Sequence, residues 1–291
     1  MIENNNILEI EKLLDNKKIL DYNILSDSFG INCLKINTED NKQFIVKYYY
    51  KKKGKFNAIK SEAENLLFLN THNFNFFPKI INYNNKFIVM SFIENNNYLP
   101  NKTNDDLLDA IISLHSKKNI YYGFNFDSQI GGLNQPNSNS KDWVEFYRDK
   151  RLHYIFDLIN KNQSMGKAIN TKIEILLKKI DNFIPNKPKP SLLHGDLWEG
   201  NILFKNKKFT GLIDPGSFYG HNELEVSYLR WFNPKFIDKK FLNKYNNHIS
   251  IDKYYLEYEP IYQLYYSLLN VYLWDRSYIV NVRELLRKIK I

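Results

Sequence analysis

The sequence predicts an α+β protein of two lobes, in which a small, mostly antiparallel sheet with one main helix precedes a larger, mostly helical lobe. Residues 1–93 alternate β-branched and aromatic runs with polar turns, whereas residues 94–291 show mainly the apolar spacing of helices. The length of 291 residues, the 43% hydrophobic content and the 15% aromatic content suit a folded chain with room for two cores.

The small lobe is predicted to hold four strands around its helix. The runs NCLKI (32–36) and QFIVKYYY (43–50) flank the polar turn NTEDNK (37–42), which indicates a hairpin. The segment NAIKSEAENLLFLN (57–70) places its apolar residues on one helical face. The next segment, PKIINYNNKFIVMSFI (78–93), reads as two short strands around an asparagine-rich turn. Ahead of them all, the N-terminal segment is helical in pattern.

The lobe boundary is placed at Glu94, where the polar run ENNN ends the strand-rich region. Beyond it, two strand-like runs, ILF (202–204) and FTGLI (209–213), surround the turn KNKK and predict a second hairpin. The remaining periodic segments have helical apolar spacing: 105–118, 143–161, 172–184 and 254–278.

The segment HGDLWEGN (194–201) carries the strongest chemical signal. Four residues separate Asp196 from Asn201, as in the catalytic loop of protein kinases, where the aspartate is the base and the asparagine a magnesium ligand. Asp214 follows the predicted hairpin and could bridge metal to phosphates. Each residue alone is as well explained as a turn cap. The ordered set with His194 favours phosphoryl transfer.

The small lobe contains matching candidates for a nucleotide site. Lys47 ends the apolar strand FIVK, and a kinase needs a strand lysine on the phosphates, held by a helix glutamate. Glu62 lies in the next helix, with Glu64 as its rival. The segment VMSFIE (89–94) reads equally well as an edge strand or as a hinge whose backbone meets adenine.

Net charge and cysteine content limit the partners and the cellular compartment that we expect. The net charge of +9 would be compatible with a nucleic-acid partner. However, the lysines occur together with many asparagines and isoleucines, which indicates a general compositional bias, and no nucleic-acid motif is present. No apolar run is long enough to span a membrane, and the N-terminal segment lacks the pattern of a signal peptide. One cysteine, Cys33, fits a reducing compartment. We expect a cytoplasmic monomer or weak dimer that binds neither nucleic acid nor membrane.

Several motifs together resemble the fructosamine kinase (ketosamine-3-kinase) family. This family is a branch of the protein-kinase-like fold, with aminoglycoside phosphotransferases and choline kinases as relatives. HGDLWEGN is similar to the family's HGDLWxGN, and IDPGSFYGHNELE (213–225) to its DPxxxYGHxExD. DWVEFYRDKRL (142–152) and IYQLYYSLLNVYLW (261–274) also look familial. The similarity runs from about Ser26 to Tyr278.

The resemblance implies an ATP-dependent, Mg²⁺-requiring kinase. Its acceptor would be the sugar 3-hydroxyl of a ketoamine, a sugar attached by non-enzymatic glycation to an amine, a peptide or a protein. The product sheds its sugar, so the implied role is protein deglycation. The implied site residues are Asp196 as proton acceptor, Asn201 and Asp214 as magnesium ligands, Lys47 with its partner Glu62 on the phosphates, Ser91, Phe92 and Ile93 as the adenine hinge, and Gly30 in the phosphate loop.

The sequence departs from the family pattern in three places. The phosphate loop SDSFGINCLKI keeps only Gly30, which puts close backbone approach to phosphate in question. Glu225 stands where the family has aspartate, which raises the question whether a supporting hydrogen bond is kept. Asn270 stands near a family histidine and is therefore a substrate candidate.

Two other substrate candidates are Trp198 and His221. The Trp198 ring suits the C–H face of a sugar, but it could equally pack the loop. For His221 a structural role is favoured over lining the pocket. Cys33 is predicted to be an inert thiol.

Three other functions stay open at this point. A kinase of another small hydroxyl substrate, such as an aminoglycoside or a choline-like amino alcohol, would share the fold. A degenerate, non-catalytic binding module would explain the glycine-poor loop. A nucleic-acid-binding protein is supported by the net charge alone.

Overall fold

The computed structural model describes residues 2–51 and 54–290, which form two compact units. The first unit contains the described residues up to 99 together with 128–134 and 200–216, and the second contains the rest. The strands are β1 (Ile19–Ser28), β2 (Ile31–Thr38), β3 (Gln43–Tyr49), β4 (Ile80–Tyr83), β5 (Phe87–Ser91), β6 (Ser128–Ile130), β7 (Leu133–Gln135), β8 (Ser191–Leu193), β9 (Ile202–Lys205), β10 (Lys208–Leu212) and β11 (Phe218–Gly220).

Helices make up most of the second unit. The α-helices are α1 (Asn4–Leu13), α2 (Ala58–Thr71), α3 (Asp105–His115), α4 (Trp143–Tyr147), α5 (His153–Asn162), α6 (Lys167–Lys179), α7 (Asn222–Trp231), α8 (Lys239–His248), α9 (Tyr255–Leu273) and α10 (Ile279–Lys288). Within the first unit, the helices α1 and α2 pack on the sheet. No helix of the described ranges is both long and apolar enough to cross a bilayer.

The first unit is built on a five-stranded antiparallel sheet in the order β1-β2-β3-β5-β4. The predicted α+β class is therefore confirmed, as are the predicted strands around the main helix α2. In β3, Phe44, Val46 and Tyr48 alternate into a core shared with α1. The same alternation turns Lys47 to the opposite face of the sheet.

Strand β1 has no counterpart in the sequence prediction. Its residues are polar or exposed along nearly its whole length, so neither periodicity nor composition marks it as a strand. It pairs with β2 through the two-residue turn Phe29-Gly30, in which both residues have positive φ, 54° and 77°. This is the tight turn that fits the twist of an antiparallel hairpin. A Cβ on Gly30 would lie 1.9 Å from the carbonyl oxygen of Lys51, so the turn requires glycine.

The start of α2 is fixed by two hydrogen bonds. The side chain of Asn57 caps the helix by accepting from the backbone amide of Lys60, and the Tyr49 hydroxyl accepts from the amide of Ala58. One turn later the helix presents Glu62 on its buried face, beside Ile59 and Leu66.

The predicted hairpin of residues 202–213 is β9–β10, and it belongs to the first unit. Its close packing depends on Gly211, where a Cβ would lie 2.7 Å from the Ile93 side chain and 2.8 Å from the Phe76 carbonyl oxygen. Each compact unit is made of separate stretches of the chain, and the single lobe boundary placed at Glu94 stays a prediction.

The second unit is organised around the long helix α9, against which α5, α7 and α10 pack. Tyrosines of α9 form much of its core, and Trp143 is fully buried with its indole N–H donating to the Tyr262 hydroxyl at 2.8 Å. The helix predicted over residues 143–161 is present, with a π-helical turn at Arg148–Leu152 between α4 and α5. Helices α7, α8 and α10 were not anticipated.

Candidate active site

The Lys47 ammonium is the centre of the charged cluster in the first unit. Its Nζ lies 2.7 Å from Oε1 of Glu62 and 2.6 Å from Oδ1 of Asp214. The rival Glu64 instead faces Lys60 at 3.6 Å on the exposed side of the helix. The structure thus brings together three of the residues that the sequence analysis selected, one from strand β3, one from α2 and one beyond β10.

Burial and charge act in opposite directions on this cluster. Burial lowers the pKa of Lys47, but the carboxylates of Asp214 and Glu62 outweigh it and raise that pKa above its ordinary value. Burial raises the pKa of Glu62, with Lys47 opposing the rise and Asp214 adding to it. Lys47 is therefore a permanent cation, held next to an Asp214 side chain that is 38% exposed.

The open end of the β9–β10 hairpin holds both candidate metal ligands. Leu212 pairs with Ile202, and the amide of Ile213 donates to the carbonyl oxygen of Asn201, so Asn201 and Asp214 lie at the same end of the hairpin. Asp214 adopts a left-handed backbone conformation with φ of 59°, which aspartate tolerates better than most residues. Within the described ranges, no group of three or more His, Cys, Asp or Glu side chains is arranged so that it could hold a metal ion by itself.

The residues proposed for adenine lie at the end of β5. The backbone amide of Ser91 donates to the Lys79 carbonyl oxygen, and the Ser91 hydroxyl accepts from the amide of Lys79, both at 2.9 Å. The ammonium of Lys35 lies over the ring of Phe92, with Nζ 4.0 Å from the ring centroid. The Ile93 carbonyl oxygen accepts from the Asn95 side chain at 2.9 Å.

Cys33 pairs with Lys47 across β2 and β3, next to the Phe29-Gly30 turn. Burial raises the pKa of its thiol to about 12, against the opposing charge of Lys47. The thiolate is the reactive form, so this value supports the predicted inert thiol.

In the second unit, the loop after β8 carries Asp196 and is anchored by Glu225. The two carboxylate oxygens of Glu225 accept the backbone amides of His194 at 3.0 Å and Gly195 at 2.7 Å. His194 in turn accepts the amide of Asp196 on Nδ1 at 3.3 Å. The supporting hydrogen bonds questioned because of the longer side chain of Glu225 are therefore made.

Glu225 has a buried partner on its far side. Oε2 lies 2.9 Å from Nε2 of His115, and both side chains are fully buried. Because a carboxylate can only accept, Nε2 carries a proton. Burial alone would raise the pKa of Glu225, but His115 and the amide of His194 lower it below its ordinary value. Nδ1 of His115 lies 2.7 Å from the Tyr245 hydroxyl, which accepts from Asn222.

The Asp196 carboxylate acts electrostatically on Tyr228, on α7. The Tyr228 ring stacks on Tyr266 with centroids 3.6 Å apart and planes 1° apart. Burial, together with the negative charge of Asp196, raises the pKa of Tyr228 well above its ordinary value. Tyr228 therefore stays neutral near the carboxylate.

The three substrate candidates lie in different surroundings of the second unit. Trp198 is 37% exposed and borders Phe232, with ring centroids 6.1 Å apart, so its ring is available at the surface. His221 is buried, with Nδ1 2.8 Å from the Tyr262 hydroxyl and its ring edge-on to Trp143. Asn270 donates from its side chain to the carbonyl oxygen of Tyr266, one turn back in α9.

Sequence reasoning missed the supporting residues of the loop. His115, Tyr228 and Tyr245 carry no local signal, since each lies at an ordinary apolar position of a helix. Glu225 was noticed only as a departure from a family aspartate. A charged residue at a helix position otherwise occupied by apolar side chains is the signal that could have identified it.

Comparisons with known proteins identify the family to which the chain is similar. The family model described as fructosamine kinase matches residues 16–291. An Enterococcus faecium protein assigned as a ketoamine kinase is 32% identical over 206 residues, covering 69% of this chain and 70% of that protein. The chloroplastic protein-ribulosamine 3-kinase of Arabidopsis thaliana is 32% identical over 197 residues, covering 66% of this chain and 58% of that protein.

Solved structures extend the similarity to the whole fold. A Thermobifida fusca protein assigned as a fructosamine-3-kinase superposes with a TM-score of 0.86 at 19% identity, covering 99% of each chain. The aminoglycoside phosphotransferase of a streptomycin–ATP complex superposes with a TM-score of 0.67 at 18% identity, covering 99% of this chain and 97% of that one. At these identities the structures support the fold alone.

Proposed function

The chain belongs to the fructosamine kinase family, and on that premise we propose that it phosphorylates the sugar 3-hydroxyl of ketoamines with ATP as donor. Glycated amines, peptides or proteins are the acceptors, and the role is protein deglycation. The observation that carries the proposal is the Lys47 ammonium bonded to both Glu62 and Asp214. A strand lysine, a helix glutamate and an aspartate beyond a hairpin are the parts that phosphate binding requires in this fold.

The residues of the first unit fit a magnesium–nucleotide complex. Mg²⁺ prefers oxygen ligands and is held by one or two protein groups plus substrate phosphates rather than by a full protein cage. Asn201 and Asp214 offer one amide and one carboxylate at the same end of a hairpin. When bound, the ion would neutralise charge on the β- and γ-phosphates.

Each side chain then has a defined task. Lys47, steadied by Glu62, binds phosphate oxygens as a fixed cation. The backbone around Ser91, Phe92 and Ile93 receives adenine, and the Gly30 turn covers the phosphates. Asp196 accepts a hydrogen bond from the acceptor hydroxyl and takes its proton as the oxygen attacks the γ-phosphorus of ATP. The bond from that phosphorus to the bridging oxygen breaks, and ADP is the leaving group. Glu225 fixes the loop that carries Asp196, and the exposed Trp198 ring offers a flat surface to the sugar. His221 and Asn270 remain candidates for the substrate end.

The fold also supports a second candidate, a kinase of an aminoglycoside or amino alcohol, because aminoglycoside phosphotransferases superpose on the whole chain. The family relationship favours the ketoamine. A non-catalytic module is disfavoured, because Lys47, Glu62 and Asp214 keep their ion pairs and Glu225 keeps the loop bonds. We further propose that the enzyme works in the cytoplasm as a monomer or weak dimer, for which the single cysteine is the supporting observation.

The test is ATP consumption with Mg²⁺ and ribose-, erythrose- or glucose-derived ketoamines, compared with aminoglycosides and choline. Asp196→Asn should bind ATP normally and lose about 10²-fold or more in turnover, the lower range of general-base contributions. Turnover of a ketoamine that disappears in this variant supports the proposal. Turnover only of aminoglycosides or choline would replace it with the second candidate, and near-normal turnover by Asp196→Asn would overturn the role of Asp196.

A further inference from the structure

A cavity of about 690 Å³ opens in the second unit beside the start of strand β8. This volume lies within the range of sites for small molecules. Its walls come from the segment after α3, the segment 185–189 that leads into β8, the first turn of α7, and the segment after α8. Asp196 follows five residues after Ser191, beyond the other end of β8, so the cavity is separate from the loop that carries the proposed base.

Three lysines line this cavity: Lys118, Lys187 and Lys189. Within residues 2–51 and 54–290, none of them has a carboxylate at ion-pair distance. Lys118 is half-buried and donates to the Ser191 hydroxyl at 2.5 Å, which leaves further N–H groups on its ammonium. Burial, followed by the charge of Lys189, lowers the pKa of Lys118, as expected for a cation without a counter-ion.

Three of the four carboxylate oxygens of the cavity wall accept hydrogen bonds within the unit. Oε1 of Glu223 accepts the amide of Asp252 at 2.6 Å, and its Oε2 accepts the Tyr258 hydroxyl. Oδ1 of Asp252 accepts the amide of Tyr254 at 2.7 Å. The wall holds three lysines against these two carboxylates, so its formal charge is positive. This excess of positive charge favours an anion.

The first turn of α7 adds to this attraction. The helix has 10 residues, and its N-cap, His221, makes no side-chain capping bond. Asn222 and Glu223, its first two residues, line the cavity. Backbone amides at a helix N-terminus favour negative charge, and this N-terminus borders the same cavity as the three lysines. Three apolar residues, Pro185, Pro188 and Ile249, complete the wall and can contact the carbon part of a ligand.

We propose that this cavity binds a small phosphate-bearing anion. Phosphate oxygens can accept several N–H bonds at once, which matches three ammoniums and a helix N-terminus better than a single carboxylate does. The shared chemistry is the phosphate group, supplied either as inorganic phosphate or as a phosphate monoester of a small metabolite. The proposal does not depend on the kinase activity.

The cavity wall is connected to the loop that carries Asp196. Lys118 bonds Ser191, the first residue of β8, and β8 leads directly into His194. Asn222 donates to the Tyr245 hydroxyl, which contacts His115, the partner of Glu225. We therefore expect a bound anion to slow amide hydrogen exchange in residues 191–195.

The test uses the full-length protein with inorganic phosphate and with glucose 6-phosphate as probes. Binding is measured by calorimetry and located through the histidine ring signals in NMR, because His221 and His248 line the cavity whereas His72 and His153 lie elsewhere. The variants are Lys118→Gln and the double change Lys187→Gln/Lys189→Gln at exposed positions. The matched control is Lys167→Gln/Lys172→Gln, two exposed lysines of α6, and Lys47→Met reports on the nucleotide site.

The expected result is a shift of the His221 and His248 signals, and about tenfold weaker binding in both cavity variants, because each loses a charge-assisted bond. The control pair and Lys47→Met should bind as the wild type does. Tighter binding of one probe identifies the source of the phosphate. Absence of binding at millimolar concentrations, an equal loss in the control pair, or a loss confined to Lys47→Met would overturn the proposal.

Discussion

Tyr228 and Asp196 interact electrostatically within the second unit, where burial and then the negative charge of Asp196 raise the pKa of the Tyr228 hydroxyl well above its ordinary value. Tyr228 lies on α7, 32 positions further along the chain, and its ring is fixed by stacking on Tyr266. A neutral hydroxyl near the proposed base can donate to it and hold its orientation without competing for the acceptor proton. We therefore predict a positioning role for Tyr228 in the proposed reaction.

Replacing Tyr228 with phenylalanine tests this role. Tyr228→Phe keeps the stacked ring and removes the donor, so kcat should fall about tenfold, the value of one hydrogen bond to a charged group. The KM for ATP should not change, because Lys47 and Asp214 are untouched. Steady-state kinetics with the best ketoamine measures both constants.

Tyr147→Phe is the matched control for that variant. The Tyr147 hydroxyl donates to the carbonyl oxygen of Ile261 at 2.7 Å, so its loss removes a buried bond that does not involve Asp196. An equal fall of kcat in both variants would mean that Tyr228 acts through stability alone.

The pairing of Lys47 predicts different consequences for two glutamates of α2. Glu62→Gln removes the buried carboxylate at 2.7 Å from the Lys47 ammonium, so kcat/KM for ATP should fall about tenfold. Glu64→Gln, two residues away, loses only an exposed contact with Lys60 and should leave kcat/KM unchanged. Equal effects of the two changes, in ATP-dependence assays, would contradict the assignment of Glu62.

His221 predicts a loss of stability in acid. Burial, with the charges of Lys118 and His115, lowers the pKa of His221 from 6.5 to about 3. Between these values the unfolded chain binds a proton that the folded protein does not, so the free energy of unfolding falls as the pH drops. The slope is about 1.4 kcal/mol per pH unit for this one group, and the full difference is roughly 5 kcal/mol.

Urea unfolding at a series of pH values measures that slope. His221→Gln should be less stable than the wild type at neutral pH, since it loses the contact with Tyr262, but its stability should decline less steeply in acid. His153→Gln, at a half-exposed position, should keep the wild-type slope. A His221 ring that titrates near its ordinary pKa in NMR would refute the prediction.

Cys33 should react slowly in the folded protein. Burial raises the pKa of its thiol from 9.0 to about 12, so the thiolate fraction at a given pH falls about a thousandfold. Alkylation with iodoacetamide should therefore be about a thousandfold slower before unfolding in guanidinium than after it. Mass spectrometry of the single cysteine gives both rates, and comparable rates would show that the thiol is accessible and ionised.

Much of the fold and of the candidate site could be predicted from local patterns. The β-branched and aromatic run QFIVKYYY identified the strand β3 that carries Lys47. The apolar spacing of residues 57–70 identified α2 and placed Glu62 and its rival Glu64 on it, but it left open which of the two meets Lys47. The apolar runs on both sides of KNKK predicted the β9–β10 hairpin. Each of these features depends on residues that are close to one another in the sequence.

Other features could not be read from local patterns. Strand β1 has a polar, exposed sequence and is held by its partner β2 and by the Phe29-Gly30 turn. Helix α7 begins without a side-chain cap, so only the acidic residues of its first turn mark its start. In both cases the backbone conformation is stabilised by contacts with elements elsewhere in the unit rather than by its own residues.

The sequence by itself determined the fold class, the family, and the residue types that carry the proposed chemistry, because periodicity and short motifs record which faces are buried and which loops are functional. Tertiary structure alone decided the partners: Lys47 with Asp214 across 167 positions, Glu225 with the amides of His194 and Gly195, and three lysines around one cavity. Such pairs depend on how distant elements pack. The first two sets are buried or partly buried, where a charge that has lost water must find its partner within the fold.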